Sequence, residues 1–489
     1  MFFENFITPI RDAISSGLPI ILEDFKSIIG STSTVMYSYV LIILLVLGGL
    51  YFTVRTKFAQ FSLFKEQIRL VMEKPTDKKG VSSFKALMVS TASRVGTGNI
   101  IGVSTAICLG GFGAVFWMWV IALIGCASAF VESTLAQIYK KKGPNGSYGG
   151  PAYYIEKGLK CRPLAIVFSV LLIFTYGCGF NMLASNNLQA TFATYSFYNP
   201  SVTPWIIGLV TALLVGYCLF GGGSRVLKIT GFLVPVMGVA YILIALVVIG
   251  LNITTLPGIF VRIFTEAFDF KAIFGGFGGS CVIYGIKRGL FSNEAGVGSA
   301  PNASAAADVS HPVKQGLVQV LSVFIDTILV CSATAFMCMC SGIEPSADIS
   351  GAAYIQDSLS KTLGGFGPIF ITVSMILFAF TTLLGNLYYV NQAINHILGR
   401  VPGKITNYIY YVIASAIIFI GAGLNATMLW DIADIAMGLM AIINIPVIII
   451  LGKYAFRALK DYKIQKKRGK DPVFKAKNIG LHHKVDYWK

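Results

Sequence analysis

Long apolar runs, separated by short polar segments, recur along almost the whole chain. A helix that crosses a bilayer needs roughly 20 mostly apolar residues, and eleven runs of about that length are present. They cover residues 36–54, 86–109, 112–138, 164–193, 204–220, 230–251, 268–287, 315–341, 367–390, 406–423 and 429–454. The short alternating segments typical of a membrane β-barrel do not stand out. The pattern therefore predicts an all-α polytopic membrane protein.

The two ends of the chain differ from this apolar interior. Residues 1–35 place Phe and Ile beside charged side chains, which predicts an N-terminal interfacial segment. Residues 455–489 form a basic tail. Between them, residues 36–54 are expected to form one extra N-terminal transmembrane helix. The remaining spans divide into a first half, residues 86–251, and a second half, residues 268–454.

Composition supports the membrane prediction. Hydrophobic residues make up 55% of the chain and charged residues only 12%, whereas soluble domains carry about 25% charged residues. In water, so few charges would leave large apolar patches exposed. Membrane lipid is therefore an expected partner of the outer surface.

The formal charge of +17 is distributed very unevenly. Most Lys and Arg residues fall in alternate connecting segments, namely residues 55–85, 139–163, 221–230, 287–314, 391–406 and 453–489. Basic residues concentrate on the cytoplasmic side of membrane proteins. This pattern predicts a cell-membrane protein with its N-terminus outside, its C-terminus in the cytoplasm and a tail facing anionic lipid. No nucleic-acid partner is expected.

Two of the predicted spans contain sequences that do not favour a continuous helix. The second span contains Gly96-Thr97-Gly98-Asn99, and the seventh contains Gly275-Gly276-Phe277-Gly278-Gly279. Each glycine weakens a helix by about 1 kcal/mol relative to alanine. Close helix packing is the alternative explanation, because Gly98 and Gly102 also match the G-x-x-x-G pattern.

An unwound segment within a bilayer exposes peptide groups that need partners. Backbone carbonyls suit sodium, and N–H groups at a helix N-terminus suit a carboxylate. The two predicted breaks lie in the first and sixth of ten consecutive spans. Five spans per half give the halves opposite orientations, which predicts an inverted repeat with a binding site near the midplane.

Signatures of other protein classes are weak. The nine cysteines form no zinc-type pattern, and no nucleotide-binding loop or hydrolase motif is present. Gly96-x-Gly98-x-x-x-Gly102 misses the dinucleotide fingerprint by one residue and lacks a preceding strand. Arg94, Glu132 and Asp326 are ionisable residues in or near spans, which makes them functional candidates. Arg94 could pair with Glu294 or Asp326. A channel and a membrane enzyme remain alternatives to a transporter.

Several motifs resemble one transporter family. They are Arg94-Val95-Gly96-Thr97-Gly98-Asn99, the run from Gly110 to Trp119, Gly149-Gly150-Pro151-Ala152-Tyr153-Tyr154-Ile155 and the run from Arg288 to Pro301. In this order they resemble the alanine/glycine:cation symporter family over residues 36–455. The resemblance implies a LeuT-like fold with a 5+5 inverted repeat plus one N-terminal helix. It also implies symport of alanine or glycine with Na⁺, or with H⁺ in some members, and no enzymatic activity.

The resemblance also implies a site. The substrate carboxylate would meet Thr97 and Gly98, with Asn99 beside them. Phe277, Gly278 and Gly279 would line the opposite wall, and Asn181, Ala184 and Asn386 would face the substrate. Carbonyls near Ala92 and Val95, with the hydroxyls of Thr381 and Thr382, would bind the cation.

Two helices depart from the family pattern, at three positions in all. Ala184 replaces a glutamine and Asn386 replaces a tryptophan, while Asn391 replaces a glutamate. Losing an indole would enlarge the pocket or make it more polar. A proton-coupled transporter, or one of broader specificity, is therefore the alternative.

Overall fold

The computed structural model describes residues 19–75, 77, 80–143, 146–269, 280–481 and 485–488, with side chains from residue 27 onward. Within them the chain is mostly helical. The helices are α1 (Pro19–Val35), α2 (Ile42–Arg55), α3 (Ala59–Ser62), α4 (Phe64–Val71), α5 (Ser83–Arg94), α6 (Val103–Gly110), α7 (Gly113–Ile138), α8 (Pro151–Gly158), α9 (Arg162–Leu172), α10 (Phe180–Ala190), α11 (Thr203–Leu219), α12 (Gly222–Leu251), α13 (Leu256–Ala267), α14 (Cys281–Asn293), α15 (Pro301–Ser304), α16 (Pro312–Val323), α17 (Ser332–Met339), α18 (Ala352–Leu363), α19 (Phe366–Leu398), α20 (Lys404–Ala422) and α21 (Ala426–Lys467).

Wider and tighter turns connect some of these helices. Single π-helical segments lie at Met36–Leu41, Gly98–Gly102, Ile173–Gly179 and Phe324–Cys331, and 3₁₀ turns at Ile253–Thr255, Ala347–Ile349 and Ala476–Ile479. Strands β1 (Lys141–Gly143) and β2 (Gly146–Tyr148) form an antiparallel hairpin. Such π segments often mark functional positions in helices, and one of them directly follows the interruption after α5.

Eight helical runs among the described residues are long and apolar enough to cross a membrane. They are Ser27–Arg55, Gly113–Ile138, Arg162–Ala190, Gly222–Leu251, Pro312–Met339, Phe366–Leu398, Lys404–Ala422 and Ala426–Lys467. Their outward faces are apolar: Leu47 is 62% exposed, Phe232 68% and Ile405 77%. A contiguous surface of such side chains is stable against lipid, not against water. The chain is therefore a multi-pass membrane protein.

The interior of the bundle holds the polar residues. Helix α5 is buried from Ala86 to its end at Arg94 and packs against α12, α16 and α19. Helix α14 packs against α6 and α7. Because α5 and α14 both end within the protein, the groups at their ends are shielded from lipid by neighbouring helices.

The seventh predicted span differs from the observed structure. Of its residues 268–287, positions 270–279 lie outside the described residues, and so do Phe277, Gly278 and Gly279. Helix α14 begins at Cys281 and runs on to Asn293. The segment that follows, predicted as part of a cytoplasmic loop over residues 287–314, is buried from Arg288 to Ala307. The mean apolarity of this segment is low. It can still be buried, because its polar side chains bond to other polar groups inside the protein.

The two end segments also differ from expectation. Residues 1–18 lie outside the described residues, and the rest of the predicted interfacial segment is helix α1, which continues through a π-helical segment into α2. Helix α21 extends to Lys467, thirteen residues past the predicted last span. Beyond it the tail folds back onto the protein, and Trp488 is only 8% exposed.

Candidate functional site

The first predicted break is present in the structure. Helix α5 ends at Arg94, and Val95 leaves the helical conformation with φ −75° and ψ 85°. The chain returns to helix at Thr97 and continues through the π-helical segment Gly98–Gly102. The first N–H groups of this second half have no partners in the preceding turn of helix. The interruption therefore presents peptide groups inside the bundle.

Asn99 holds this interruption in place. Its side-chain Oδ1 accepts a hydrogen bond from the Gly96 N–H at 2.8 Å. Its Nδ2 donates to Asp326 Oδ1 at 2.7 Å and to Ser292 Oγ at 3.1 Å. Because its oxygen is already engaged by the backbone, Asn99 supports the break instead of presenting a free oxygen there.

Asp326 is the buried charge behind this arrangement. It lies in the π-helical segment Phe324–Cys331 and is 0% exposed. Besides the contact with Asn99, its Oδ2 accepts hydrogen bonds from Ser292 Oγ at 2.6 Å and Thr327 Oγ1 at 2.8 Å. Hydrogen bonds to a charged acceptor are roughly twice as strong as neutral ones. Asp326 thus fixes two chain segments in relation to each other.

A second non-helical segment follows α14. Glu294 adopts the left-handed conformation with φ 52°, and Gly296 and Gly298 have φ 85° and 90°. The segment stays out of helix until Pro301 and is fully buried. Asn444 Nδ2 donates to the carbonyl of Gly296 at 2.9 Å. Side chains of neighbouring helices thereby satisfy backbone groups that a helix would have paired internally.

The two interruptions lie against each other. Ser93 Oγ lies 3.4 Å from Glu294 Oε1, which brings the end of α5 against the residue after α14. A Cβ added at Gly98 would lie 2.7 Å from Cδ1 of Phe291. This close approach of the Phe291 ring requires glycine at position 98. The two interrupted segments therefore meet through both polar and apolar contacts.

A group of oxygen atoms borders the first interruption on the side of α19. Thr382 Oγ1 donates to the carbonyl of Ala92 at 3.1 Å. A Cβ added at Gly96 would lie 2.1 Å from the same Oγ1, so only glycine leaves room for this hydroxyl. Thr381 instead bonds to the carbonyls of Leu377 and Phe378 in its own helix. Val95 is the buried residue at which α5 stops.

A chain of buried amides extends from the first interruption. Ser93 Oγ donates to Asn386 Oδ1 at 2.6 Å, and Asn386 Nδ2 donates to Asn181 Oδ1 at 3.0 Å. Asn386 and Asn181 are both 0% exposed. Thr97 Oγ1 separately accepts a hydrogen bond from Asn187 Nδ2 at 3.2 Å. Ala184 belongs to an apolar cluster that includes Leu387.

Arg94 is buried, and none of the described carboxylates contacts its guanidinium. Its Nη1 donates to Gln319 Oε1 at 3.3 Å, and its other two nitrogens have no hydrogen-bond partner among the described residues. Glu294 and Asp326, its expected partners, bond to Ser299 and Asn99. Glu132 is likewise buried, and Asn444 donates to its Oε2 at 2.9 Å.

Aromatic rings cover the opposite side of the interruptions. The Phe291 ring packs 4.5 Å from that of Phe180 and 4.7 Å from that of Trp430, between ring centroids. The Arg288 guanidinium lies 3.9 Å from the centroid of the Trp430 ring, and its Nη1 is 3.4 Å from Asp434 Oδ1. These rings exclude water from one face of the site.

Several residues at this site were not predicted from the sequence. Ser292, Phe291 and Glu294 belong to the motif that most closely resembles the symporter family, but the charge pattern assigned that motif to a loop. Trp430 gave no separate signal. Asp326, by contrast, was predicted as a functional candidate, because it is an ionisable residue within a span.

Two interrupted helices that meet inside a bundle of apolar helices are typical of secondary transporters. Comparison with known proteins assigns the chain more narrowly. Residues 22–476 match the sodium:alanine symporter family, and the chain belongs to that family. The chain is thus a sodium-coupled amino-acid symporter and not an enzyme, which confirms both sequence-based predictions.

The relatives match along nearly their whole length. The amino-acid carrier protein AlsT of Bacillus subtilis (strain 168) is 45% identical over 465 residues, which cover 95% of this chain and 98% of that protein. The probable sodium/glutamine symporter GlnT of the same organism is 44% identical, with coverages of 95% and 96%. The sodium/alanine symporter AgcS of Methanococcus maripaludis is 35% identical, with coverages of 92% and 100%.

A solved structure supports the fold. The crystal structure of MhsT in complex with L-phenylalanine aligns with a TM-score of 0.52 at 14% sequence identity. The alignment covers 78% of this chain and 92% of that one. At this identity the likeness concerns the fold alone. It agrees with the LeuT-like architecture that the sequence motifs implied.

Proposed function

We propose that this symporter carries a small neutral amino acid, alanine or glycine, into the cell together with Na⁺ by alternating access. The observation that carries the proposal is the pair of buried, non-helical segments joined through Ser93 and Glu294. The substrate carboxylate would bind the N–H groups at Thr97 and Gly98, where the second half of the broken helix begins. The Phe291 ring would pack on a small substrate side chain.

The sodium ion would bind beside the same interruption. The carbonyl of Ala92 and the hydroxyl of Thr382 are 3.1 Å apart, and oxygen atoms of this kind are the ligands of a hard cation. Val95 and Thr381 complete the proposed set, Thr381 after rotating away from its own helix. A bound cation would stabilise the non-helical backbone and so raise substrate affinity, a reciprocal effect.

We also propose the finer architecture. The interrupted runs α5–α6 and α14–α15, the shorter helix α11 and the eight long runs make eleven spans. The last ten would form two inverted halves of five. In this arrangement the N-terminus is outside, and the hairpin, the α11–α12 turn and the tail are cytoplasmic, in agreement with the distribution of basic residues.

A cavity supports a cytoplasmic exit path. Its volume is about 650 Å³, and it is lined by Val81 before α5, Ala306 after α15 and the polar side chains Asn391 and Asn395 of α19. The segments that flank the two broken helices, before α5 and after α15, therefore reach its wall. Movement of either helix end would connect the cavity with the site.

The test is counterflow in proteoliposomes. Proteoliposomes loaded with unlabelled alanine are expected to accumulate labelled alanine when sodium is present. They should lose this activity when choline replaces sodium. Uptake that proceeds at the same rate without sodium, but responds to a pH gradient, would favour proton coupling. Absence of uptake for every amino acid would contradict the proposal.

A more polar substrate is the second candidate. The Asn386–Asn181 pair is buried beside the first interruption, where an amide side chain could find both a donor and an acceptor. GlnT, a probable sodium/glutamine symporter by its name, is 44% identical to this chain. Glutamine therefore belongs in the same counterflow panel. Competition by glutamine that exceeds competition by alanine would favour this candidate.

A further inference from the structure

The tail after α21 is held to the body of the protein by specific contacts. The Gln465 side chain bonds to both the N–H and the carbonyl of Val473 at 2.9 Å, which reverses the chain direction. Phe474 N–H then donates to the Ser310 carbonyl at 2.9 Å, and Ser310 Oγ donates to the Pro472 carbonyl at 2.8 Å. The tail thus pairs with the segment that precedes α16.

The last described residues dock at the end of α7. Trp488 Nε1 donates to the Gln137 carbonyl at 2.8 Å, and the side chain is buried. The Lys140 ammonium lies 4.3 Å from the centroid of the Tyr487 ring and 5.1 Å from that of the Trp488 ring. Cation–π contacts of this kind are attractive and favour an aromatic ring beside the ammonium group. The end of α7 therefore presents a surface that fits an aromatic segment.

Gln137 of α7 and Lys140, two residues beyond the end of that helix, also hold the segment that follows the second interruption. Gln137 Nε2 and Lys140 Nζ both donate to the Ala307 carbonyl at 2.9 Å. Ala307 also pairs with Val81, just before α5, and Asp308 N–H donates to the Val81 carbonyl at 2.8 Å. The leading end of α5 and the trailing end of the α14–α15 run are thus joined at one place.

We propose that the described tail residues 472–481 and 485–488 form a latch that holds this junction closed and slows opening of the transporter toward the cytoplasm. The tail contacts Ser310, three residues after Ala307, and it also contacts Gln137 and Lys140, which both donate to the Ala307 carbonyl. It therefore fixes the Ala307 side of the junction from two directions. The latch rests on the proposed orientation, in which this end of the bundle is cytoplasmic. Its release would let the helix ends beside the cavity separate.

Hydrogen–deuterium exchange of the full chain in lipid nanodiscs tests the latch without any transport assay. We compare the wild type with a variant that lacks residues 470–489, with Trp488→Ala and with Trp488→Phe. The amide of Asp308 is expected to exchange about fivefold faster in the first two variants, because the contacts bracketing it are lost. Trp488→Phe keeps a ring on Lys140, so the exchange rate of its Asp308 amide should lie between those of the wild type and Trp488→Ala. Lys475→Ala, an exposed position in the tail, is the control and should match the wild type.

Counterflow provides the second readout. Release of the latch is expected to raise the maximal exchange rate about twofold or more while leaving the sodium concentration for half-maximal transport unchanged. Equal exchange of the Asp308 amide in the wild type and all tail variants would overturn the latch. If the wild type carried no amino acid while the tail variants still exposed Asp308, the proposed function would fail and the latch would stand.

Discussion

At the scale of single residues, two glycines are fixed by what lies beside them. Gly98 leaves room for the Phe291 ring, and Gly96 leaves room for the Thr382 hydroxyl. Both were predicted from the sequence as points where the helix weakens. The structure adds a second reason, because close approach of a neighbour excludes any side chain. Packing therefore requires glycine at these positions, in addition to the weak helix propensity that glycine confers there.

Gly96→Ala is expected to weaken sodium binding. The new Cβ would lie 2.1 Å from Thr382 Oγ1, so the hydroxyl must move away from the Ala92 carbonyl. The sodium concentration for half-maximal transport should rise about tenfold, as for a loss of roughly 1.4 kcal/mol. Gly238→Ala in α12, where a Cβ meets nothing within 4 Å, is the control. An unchanged sodium dependence in Gly96→Ala would argue against the proposed cation site.

Asp326→Asn is expected to damage the site more broadly. The aspartate accepts hydrogen bonds from Asn99, Ser292 and Thr327, and an amide group cannot accept all three. One buried donor is then unpaired, at a cost of about 1–3 kcal/mol. Sodium-driven uptake should fall at least tenfold, by roughly 1.4 kcal/mol or more, with a lower midpoint of thermal unfolding.

The matched control for that substitution is Asp357→Asn on α18, where the side chain is exposed. It removes the same charge from the chain without removing a buried acceptor, and we expect transport and unfolding close to the wild type. If Asp326→Asn transported as fast as this control, Asp326 would not support the interruption.

At the scale of secondary-structure elements, the sequence predicted the interruption at residues 96–99. It did not predict the interruption after α14, and the second predicted break, at residues 275–279, lies outside the described residues. The first combines Gly96, Thr97, Gly98 and Asn99 inside an apolar run, so weak helix propensity and membrane depth coincide. The residues from Glu294 to Ala300 carry similar glycines, but their polar neighbours lower the apolarity of the segment. Hydropathy measures transfer into lipid, and this segment is buried against polar protein groups instead. Only packing could place it inside.

Gly298→Ala tests the importance of the second interruption. Gly298 has φ 90°, and an added Cβ would lie 2.9 Å from Cγ of Pro151 and 2.8 Å from Cζ of Phe168. Strain and crowding together should lower the midpoint of thermal unfolding and reduce uptake to near background. Gly364→Ala also has a positive φ, 60°, but open space around it, and should show only the backbone strain, about 1 kcal/mol. Similar behaviour of both variants would mean that packing at Gly298 matters little.

At the scale of the whole molecule, the predicted membrane character rests on apolarity that the structure displays on its outer face. Apolar side chains cover the outside of the bundle, whereas polar side chains such as Glu132, Asn444 and Asp326 lie in its interior. The tail could not be predicted to dock, because its basic residues dominate its composition. Its buried aromatic side chains find partners only once α7 is folded.

The proposed orientation can be tested by labelling single introduced cysteines in intact cells. Lys361 lies at the end of α18 and Lys475 in the tail, and both are exposed. With eleven spans and an external N-terminus, these positions face opposite sides of the membrane. A membrane-impermeant maleimide should label Lys361→Cys in intact cells and Lys475→Cys only after permeabilisation, each measured above the signal of the nine native cysteines. Labelling of both in intact cells would contradict the odd number of spans, because the basic tail would then lie outside. We expect labelling of Lys361→Cys alone in intact cells, because the segments rich in Lys and Arg then lie on the cytoplasmic side.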